Sequence, residues 1–317
     1  MYGDSRLSLG VGDGRAFARA SNPLTGMLKT IILAPRTCVG FAGTVAPALD
    51  ALRALASDDR VNDDLQWIVE RLLETNEDTH DAVHFVVAHL APGRSHLAAV
   101  KQGAVETGRV KNWVGNEEAF SLFQAAYHNA PDLESAVEDL WQREQVRNML
   151  AMQAVIEADM TPDVADVGFF VSNARNGFRY VGYYQAHTGP LATHGPPDEE
   201  GWRTINFTAP EEGSYTQTVL TAKEVGPAPV AIYIGEARMG AIYDPLSTDR
   251  PMLLKDLDFR AFELAAWQNT GMKLKGIVLK GAAAVPLHSD RPGRNDPCWC
   301  GSAVKYKRCH QGWDRVS

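Results

Sequence analysis

Three of the four cysteines in this 317-residue chain lie close together near the C-terminus and are followed by a histidine. One residue separates Cys298 from Cys300, and Cys309 is directly followed by His310. Thiolate and imidazole are the ligands that Zn²⁺ prefers in tetrahedral structural sites. Because three thiolates and one imidazole fill four positions and leave none for water, the pattern predicts a structural zinc site that performs no chemistry.

The residues between these ligands must reverse the chain so that both pairs reach one ion. Pro297 restricts the approach, Gly301 permits a sharp turn, and residues 305–308 can form one helical turn that carries Cys309 back to the metal. The segment has too few apolar residues for a core, so its order would have to come from metal binding. We therefore expect residues 291–317, called the tail below, to fold around zinc.

Residues 293–312 resemble the SEC-C motif, a zinc-binding tail of the preprotein-translocating secretion ATPase that is also found on many otherwise unrelated bacterial proteins. The resemblance rests on Gly-Arg-Asn-Asp-Pro-Cys, Cys-Gly-Ser, Lys-Tyr-Lys and the Cys-His pair. Trp299 stands where the family usually has proline, and Ala303 and Val304 replace the usual Gly-Lys. The resemblance implies a docking element for a protein partner, which is a chaperone or the ribosome in the secretion ATPase.

Charge is distributed unevenly along the chain. Residues 291–317 carry six Lys or Arg against two Asp, a net charge of +4, whereas residues 1–290 carry 25 against 37, a net charge of -12. With three thiolates and one zinc ion the tail would still be about +3. A small basic module can meet phosphates or an acidic protein surface, but the acidic body argues against extended nucleic-acid binding. A ribosome or nucleic-acid associated binder that acts through the tail is therefore kept as an alternative.

The overall composition is that of a soluble globular protein, with 45% hydrophobic and 22% charged residues. No apolar run reaches the roughly 18 residues that a membrane span requires. Residues 1–6 lack the profile of a signal peptide, and four cysteines in a chain of this length do not make a disulfide framework. We expect no membrane span and a cytoplasmic location.

The body of the chain consists of alternating blocks of strands and helices. Residues 29–41 predict a strand hairpin, and two amphipathic helices follow, one capped by Thr44 and one beginning at Asp63. Further predicted elements are strands from Val83, a strand meander from His96, helices over 117–159 broken at Pro131, and a hairpin over 164–184. Blocks of this kind favour packed antiparallel sheets flanked by helices over a doubly wound parallel sheet.

A stretch rich in Pro and Gly, residues 187–214, predicts a linker or a long surface excursion. We therefore expect three units, which are a sandwich domain over 1–190, an α+β extension over 205–280 and the zinc motif over 291–317. The extension either completes the core of the first unit or stands alone. The sequence leaves both possibilities open.

The first half of the chain resembles the beta-type subunits of proteasomes, which are N-terminal-nucleophile hydrolases. GDSRLSLG at Gly3, then Lys29, then VGFAG at Val39 carry the resemblance, which extends to Tyr184. It implies an α+β fold with a four-layer αββα sandwich, and a homo-oligomer because such subunits assemble into rings. The family nucleophile is an N-terminal Thr, Ser or Cys whose own amino group is the general base. Asp4 and Lys29 match the family's helper Asp and Lys.

The nucleophile itself has no counterpart, because only Met1, Tyr2 and Gly3 precede Asp4. One explanation is a catalytically silent scaffold that carries the zinc tail. The other is an amidohydrolase or peptidase whose nucleophile lies upstream of the given start, and whether the protein is an enzyme depends on that residue. If neither helper is functional, Asp4 is a turn residue and Lys29 a solvated strand end.

Several other reactive or aromatic residues are predicted to be structural. Cys38 lies in a predicted strand, where a small buried residue is expected. Ser5 and Thr44 are interpreted as turn or cap residues. The spacing of the four histidines between the predicted helices and strands is not that of a metal site: His80, His84, His89 and His96. The tryptophans predicted to be core or interface aromatics are Trp67, Trp113, Trp141 and Trp267.

Overall fold

The computed structural model of the protein describes most of the body and little of the tail. The described residues are 7–12, 15–20, 28–92, 94–108, 112–130, 143, 146–148, 150–152, 154–155, 169–174, 176–188, 192–197, 202–207, 214–235, 238–248, 250–276 and 305. Only the backbone is described for residues 7–12, 15–20, 94, 173–174, 185–188, 192–197, 202–207 and 214–215.

The described residues combine helices with antiparallel sheets, so the fold is α+β. The strands are β1 (Leu7–Gly12), β2 (Arg15–Ala20), β3 (Thr30–Ala34), β4 (Thr37–Gly43), β5 (Val83–Ala91), β6 (Arg94–Lys101), β7 (Ala104–Thr107), β8 (Val171–Ala174), β9 (Gly177–Tyr180), β10 (Tyr183–Thr188), β11 (Ala192–Pro197), β12 (Trp202–Phe207), β13 (Ser214–Thr221), β14 (Val230–Ile234), β15 (Met239–Tyr243) and β16 (Met252–Leu254). The helices are α1 (Val45–Ala56), a 3-10 turn (Asp59–Asn62), α2 (Leu65–Asp78), α3 (Glu117–His128) and α4 (Phe259–Thr270). None of the helices in these described ranges is long and apolar enough to cross a lipid bilayer.

The first sheet has the order β3-β4-β5-β6-β7, and each strand is antiparallel to its neighbours. The hairpin predicted over 29–41 is β3 and β4, and the predicted meander is β6 and β7. Strand β5 alternates fully buried with half-buried residues because successive side chains of a strand point to opposite faces. One of these faces buries Phe85 and Val87 completely.

Helices α1 and α2 cover one face of the first sheet. Their buried residues recur at helical spacing and pack in one apolar cluster with Phe41 and Phe85 of the sheet. The side chain of Asp64 caps α2 by accepting a hydrogen bond from the backbone N–H of Trp67. Thr44 occupies the cap position of α1 as predicted, but its side chain makes no capping hydrogen bond. Its backbone N–H donates to the Ala82 carbonyl at 3.0 Å instead, so backbone pairing positions the start of α1.

The second sheet has the order β10-β13-β14-β15-β16 and is also antiparallel. It packs on the other face of the first sheet through a shared apolar cluster, in which Ile32 and Cys38 meet Val219, Ile232 and Tyr243. Residues that follow the predicted linker therefore complete the core that begins with the first strands. The sequence left open whether the extension completes the core of the first unit or stands alone, and the packing of its described strands shows that it completes that core.

Helix α4 lies on the outer face of the second sheet, where Phe262 and Ala266 pack against Leu220 and Ile242. The approach is close at Gly240, because a Cβ there would collide with the Phe262 ring. The core clusters thus follow each other in the order helices, sheet, sheet, helix.

Residues 187–214 differ from the predicted linker, because they include strands β11 and β12. These strands pair with each other, and β12 pairs with β2 in a sheet of order β1-β2-β12-β11. Their partner in β2 lies far away in sequence, so no local pattern could indicate the pairing. The local Pro and Gly content indicated only irregular chain.

Two further predicted elements are present in the structure. Helix α3 ends at His128, before the predicted break at Pro131, and the described residues between 143 and 155 are helical. The hairpin predicted over 164–184 corresponds to β8 and β9, which pair antiparallel from Val171 with Tyr180 to Ala174 with Gly177.

Candidate metal centre and the buried lysine

The four predicted zinc ligands, Cys298, Cys300, Cys309 and His310, all lie outside the described residues. Within the described part of the chain, no three His, Cys, Asp or Glu side chains are grouped so that they could hold a metal ion. The support for a metal centre in the tail therefore comes from its donor set. Three thiolates and one imidazole fit a closed tetrahedral zinc site.

Lys29 lies immediately before β3 and is buried, with 8% of its surface exposed. Its carbonyl oxygen accepts a hydrogen bond from the Phe41 N–H at 2.9 Å, which holds it against β4. The residue is therefore not a solvated strand end. Desolvating an ammonium group costs free energy unless polar groups surround it, so burial of a lysine requires a specific environment. Asp4 lies outside the described residues, and the pairing of the two predicted helpers stays a prediction.

A tyrosine from a distant part of the sequence forms hydrogen bonds with backbone groups at the edge of β3. The hydroxyl of Tyr180 donates to the Thr30 carbonyl at 2.9 Å and accepts from the Ile32 N–H at 3.3 Å. These two backbone groups face away from β4. Backbone groups of successive residues in a strand point to alternate sides, and the Lys29 carbonyl points to β4, where it accepts from Phe41. Burial raises the pKa of Tyr180 well above its ordinary value, so the phenol keeps the proton that it donates.

Sequence reasoning missed this contact, because 150 residues separate Tyr180 from Thr30. The predicted hairpin that contains Tyr180 was the only local signal. The hydroxyl oxygen of Thr30 is also buried and makes no hydrogen bond within the part of the chain that the structure describes. The start of β3 is therefore a buried region that holds polar groups.

The VGFAG string ends at a position that only glycine can occupy. Gly43 has a φ of 100°, and a Cβ there would collide with the Ala82 carbonyl oxygen. Gly115, with a φ of 113°, lies so close that its Cβ would be 3.4 Å from the Cβ of Ala42. Two other chain segments thus approach the end of β4 closely, which explains in physical terms why small residues end the VGFAG string.

Two of the four histidines have structural partners. The Nε2 atom of His84 lies 2.9 Å from Asp81 Oδ1, and the Nδ1 atom of His89 lies 3.0 Å from Thr37 Oγ1. His89 is 3% exposed. Its burial, and then the neighbouring Arg36 guanidinium, lower the pKa of its imidazole.

The prediction for Cys38 is confirmed, because this cysteine is buried between the two sheets. Burial raises the pKa of its thiol to about 12, which makes the thiolate scarce at neutral pH. Trp67 lies under the Arg60 guanidinium at 4.2 Å, and Trp113 stacks on Phe120 with 4.5 Å between ring centroids. Trp267 is 37% exposed on α4. Trp141 lies outside the described residues.

Comparison with known proteins connects the tail to one motif. The family model of the SEC-C motif matches residues 294–312. A 45-residue segment, 13% of this chain, is 42% identical to the protein translocase subunit SecA of Pseudomonas putida (strain F1). The matched segment spans 5% of the length of that translocase subunit. The chain therefore contains a SEC-C motif in its tail, and the similarity to the translocase subunit is confined to a short segment.

Proposed function

We propose that this protein binds one structural zinc ion through its SEC-C motif and uses the folded tail to dock on a partner protein. The observation that carries this proposal is the motif match over residues 294–312, which includes all four predicted ligands. SEC-C motifs are generally associated with zinc. Cys298, Cys300, Cys309 and His310 would hold the ion, which would supply folding free energy to the tail and no reaction.

The proposal includes a cytoplasmic location. Three thiolates can serve as metal ligands only where they stay reduced, and the cytoplasm keeps thiols reduced. The fourth cysteine, Cys38, is a buried free thiol, which is compatible with the same compartment.

We further propose that the body is a proteasome-like scaffold of the N-terminal-nucleophile hydrolase type. Three observations support this assignment: the layer order of helices, sheet, sheet and helix, the burial of Lys29 at the start of β3, and the glycine requirement at the end of the VGFAG string. Homo-oligomerisation would follow from the same resemblance. In this proposal the scaffold presents the tail and is catalytically silent.

The metal content of the purified full chain tests the zinc proposal. We expect one zinc per chain in the wild type and less than a tenth of that in the Cys298→Ser variant, because the site loses one of four ligands. Cys38→Ala is the matched control, since it removes a thiol from the core and should keep the full zinc content. Equal metal content in the wild type and Cys298→Ser would overturn the proposal.

Docking is tested separately, with purified ribosomes and a purified secretion chaperone as probes. We expect the full chain to bind the chaperone, and both Cys298→Ser and a chain ending at Pro292 to lose binding. Binding to ribosomes alone, with strong salt dependence that disappears on truncation at Pro292, would favour the ribosome or nucleic-acid alternative instead. Absence of binding to either probe would contradict the docking role.

A second candidate function is an N-terminal-nucleophile amidohydrolase or peptidase, which the burial of Lys29 favours. The nearby cation would lower the pKa of an N-terminal nucleophile that precedes Asp4 in the chain. The test is a covalent probe for N-terminal nucleophiles, applied to the product of the longest reading frame. Labelling that is lost in Lys29→Ala and kept in Lys101→Ala would support the enzyme, and no labelling of the wild type would support the silent scaffold.

A further inference from the structure

His89 is part of a buried hydrogen-bonded chain that leads from the first sheet to the 3-10 turn. Thr37 and His89 are opposite each other on β4 and β5, and they are 0% and 3% exposed. Thr37 Oγ1 lies 2.5 Å from the Val61 carbonyl and 3.0 Å from His89 Nδ1. A hydroxyl has one hydrogen, and the Val61 carbonyl can only accept. The Nδ1–H group of His89 must therefore donate to Thr37, which leaves Nε2 as the unprotonated nitrogen of the neutral ring.

The same end of the sheet holds the 3-10 turn through a second contact. Arg36 donates from Nε to the Leu90 carbonyl at 2.7 Å and from Nη1 to Asp63 Oδ1 at 2.8 Å. Val61 is itself buried in the helix-covered cluster. The turn therefore depends on its apolar contact at Val61 and on polar contacts to Thr37 and Arg36.

Three titratable or charged groups face His89 from the segments around it. Two of these groups disfavour a positive charge on the His89 ring. They are Arg36 in the β3–β4 turn and His96 on β6, which is the cross-strand partner of His89. Asp63, which follows the 3-10 turn, favours such a charge. The Asp63 carboxylate is 75% exposed and already paired with Arg36, so solvent screens its attraction. A second proton on His89 would place a cation in a buried position next to another cation.

We propose that His89, Thr37 and the 3-10 turn form an acid-sensitive latch, which holds Asp59–Asn62 against the first sheet and releases it when the His89 ring becomes charged. Water must reach the charged imidazole to stabilise it. The turn is the segment that we expect to move, because it is four residues long and the Val61 carbonyl, which accepts from Thr37, belongs to it. It packs on β3, the strand that follows Lys29, so its release would loosen that strand as well. This device is independent of the zinc proposal.

Hydrogen exchange of the full chain tests the latch, with exchange times corrected for the intrinsic rate at about pH 7.5 and at about pH 5.5. Burial lowers the pKa of the His89 ring in the closed state, so the open state takes up one more proton between that lowered pKa and the ordinary pKa of an exposed imidazole. In the wild type we expect residues 57–64 to open about tenfold more often for each pH unit within this window, and the increase should level off below it. Peptides over the core of β5 and β6 should keep their protection. In His89→Gln, whose amide can still donate to Thr37 but does not titrate, the opening should be independent of pH.

His84→Asn is the matched control, because it removes an imidazole from the other end of β5 and should leave the response as in the wild type. A pH response that persists in His89→Gln, or its absence from the wild type, would overturn the proposal. If His89→Gln does not fold, the nitrogen chemical shifts of the wild-type ring decide the matter. The proposal requires the Nδ1–H tautomer at neutral pH and protonation at the same pH at which residues 57–64 open.

Discussion

The body and the tail of this chain differ in how they can become ordered. The body buries large apolar side chains in clusters on both faces of two sheets, with Phe41, Phe85 and Phe262 at most 1% exposed. The tail carries a net charge of +4 and offers few apolar residues, so in our proposal its order comes from metal ligands. This difference predicts that the two regions unfold independently of each other. Damage to the core should leave zinc bound, and loss of zinc should leave the core intact.

Removal of zinc should have the largest effect, and it should be confined to the tail. Structural zinc contributes about 10–16 kcal/mol of apparent binding free energy in small zinc modules, so a strong chelator should unfold the tail completely. We expect none of the four thiols to react with a thiol reagent in the native protein, and three after chelation. Cys38 should stay unreactive at about pH 8, because its pKa of about 12 keeps it protonated and it is buried.

The thermal transition of the body, followed by circular dichroism, should be unchanged by chelation. Only after the body unfolds should the fourth thiol react, because its pKa then returns towards its ordinary value. A body transition that falls together with zinc loss would contradict the independence of the two regions.

A core truncation should give the opposite pattern. Phe85→Ala removes a fully buried ring from the cluster between the first sheet and α1 and α2, which should cost about 3–5 kcal/mol. Urea denaturation measures this loss, and zinc content per chain should stay at the wild-type value. As a control, Val105→Ala changes an apolar side chain that is 37% exposed and should alter stability by less than about 0.5 kcal/mol.

Loss of the Tyr180 hydroxyl should have a smaller effect, again in the body alone. Tyr180→Phe leaves the Thr30 carbonyl and the Ile32 N–H without the partner that the hydroxyl supplies, and we expect a loss of about 1–3 kcal/mol. Tyr233→Phe is the matched control, because its hydroxyl donates one hydrogen bond, to the Leu257 carbonyl, and the group is only partly buried. Equal losses in the two variants, measured by urea denaturation, would contradict the expectation that the two-sided bridge of Tyr180 stabilises the protein more than the Tyr233 hydroxyl does.

Local patterns predicted the elements whose signals are contained in a short stretch of sequence. The apolar spacing of α1 and α2, the hairpin of β3 and β4 and the hairpin of β8 and β9 were all recognised, because each depends on residues near in sequence. Thr44 is the cap residue of α1 as predicted, but the expected side-chain hydrogen bond is absent. The backbone carbonyl of Ala82, on another segment, accepts from the Thr44 N–H and positions the start of the helix. Strands β11 and β12 were missed for the same reason, because their pairing with β2 is long-range.

The candidate functional residues also fall into those that local sequence patterns reveal and those that depend on long-range packing. The donor set of the tail is a sequence property, because four potential ligands within thirteen residues indicate the chemistry before any fold is known. The burial of Lys29 and the bridge from Tyr180 could not be predicted, because both depend on which distant segments pack around the start of β3.

Sequence patterns alone predicted the α+β character, the position of the main helices and hairpins of the body, and the SEC-C motif of the tail. Tertiary packing was needed to show that strands β13, β14 and β15 complete the core begun by β3 and β4. It also showed that the His89 ring lies within hydrogen-bond distance of Thr37, which donates to the 3-10 turn. The physical reason is that periodicity and turn chemistry act over a few residues. Burial and hydrogen-bond partners are set by surfaces that meet only when the chain has folded.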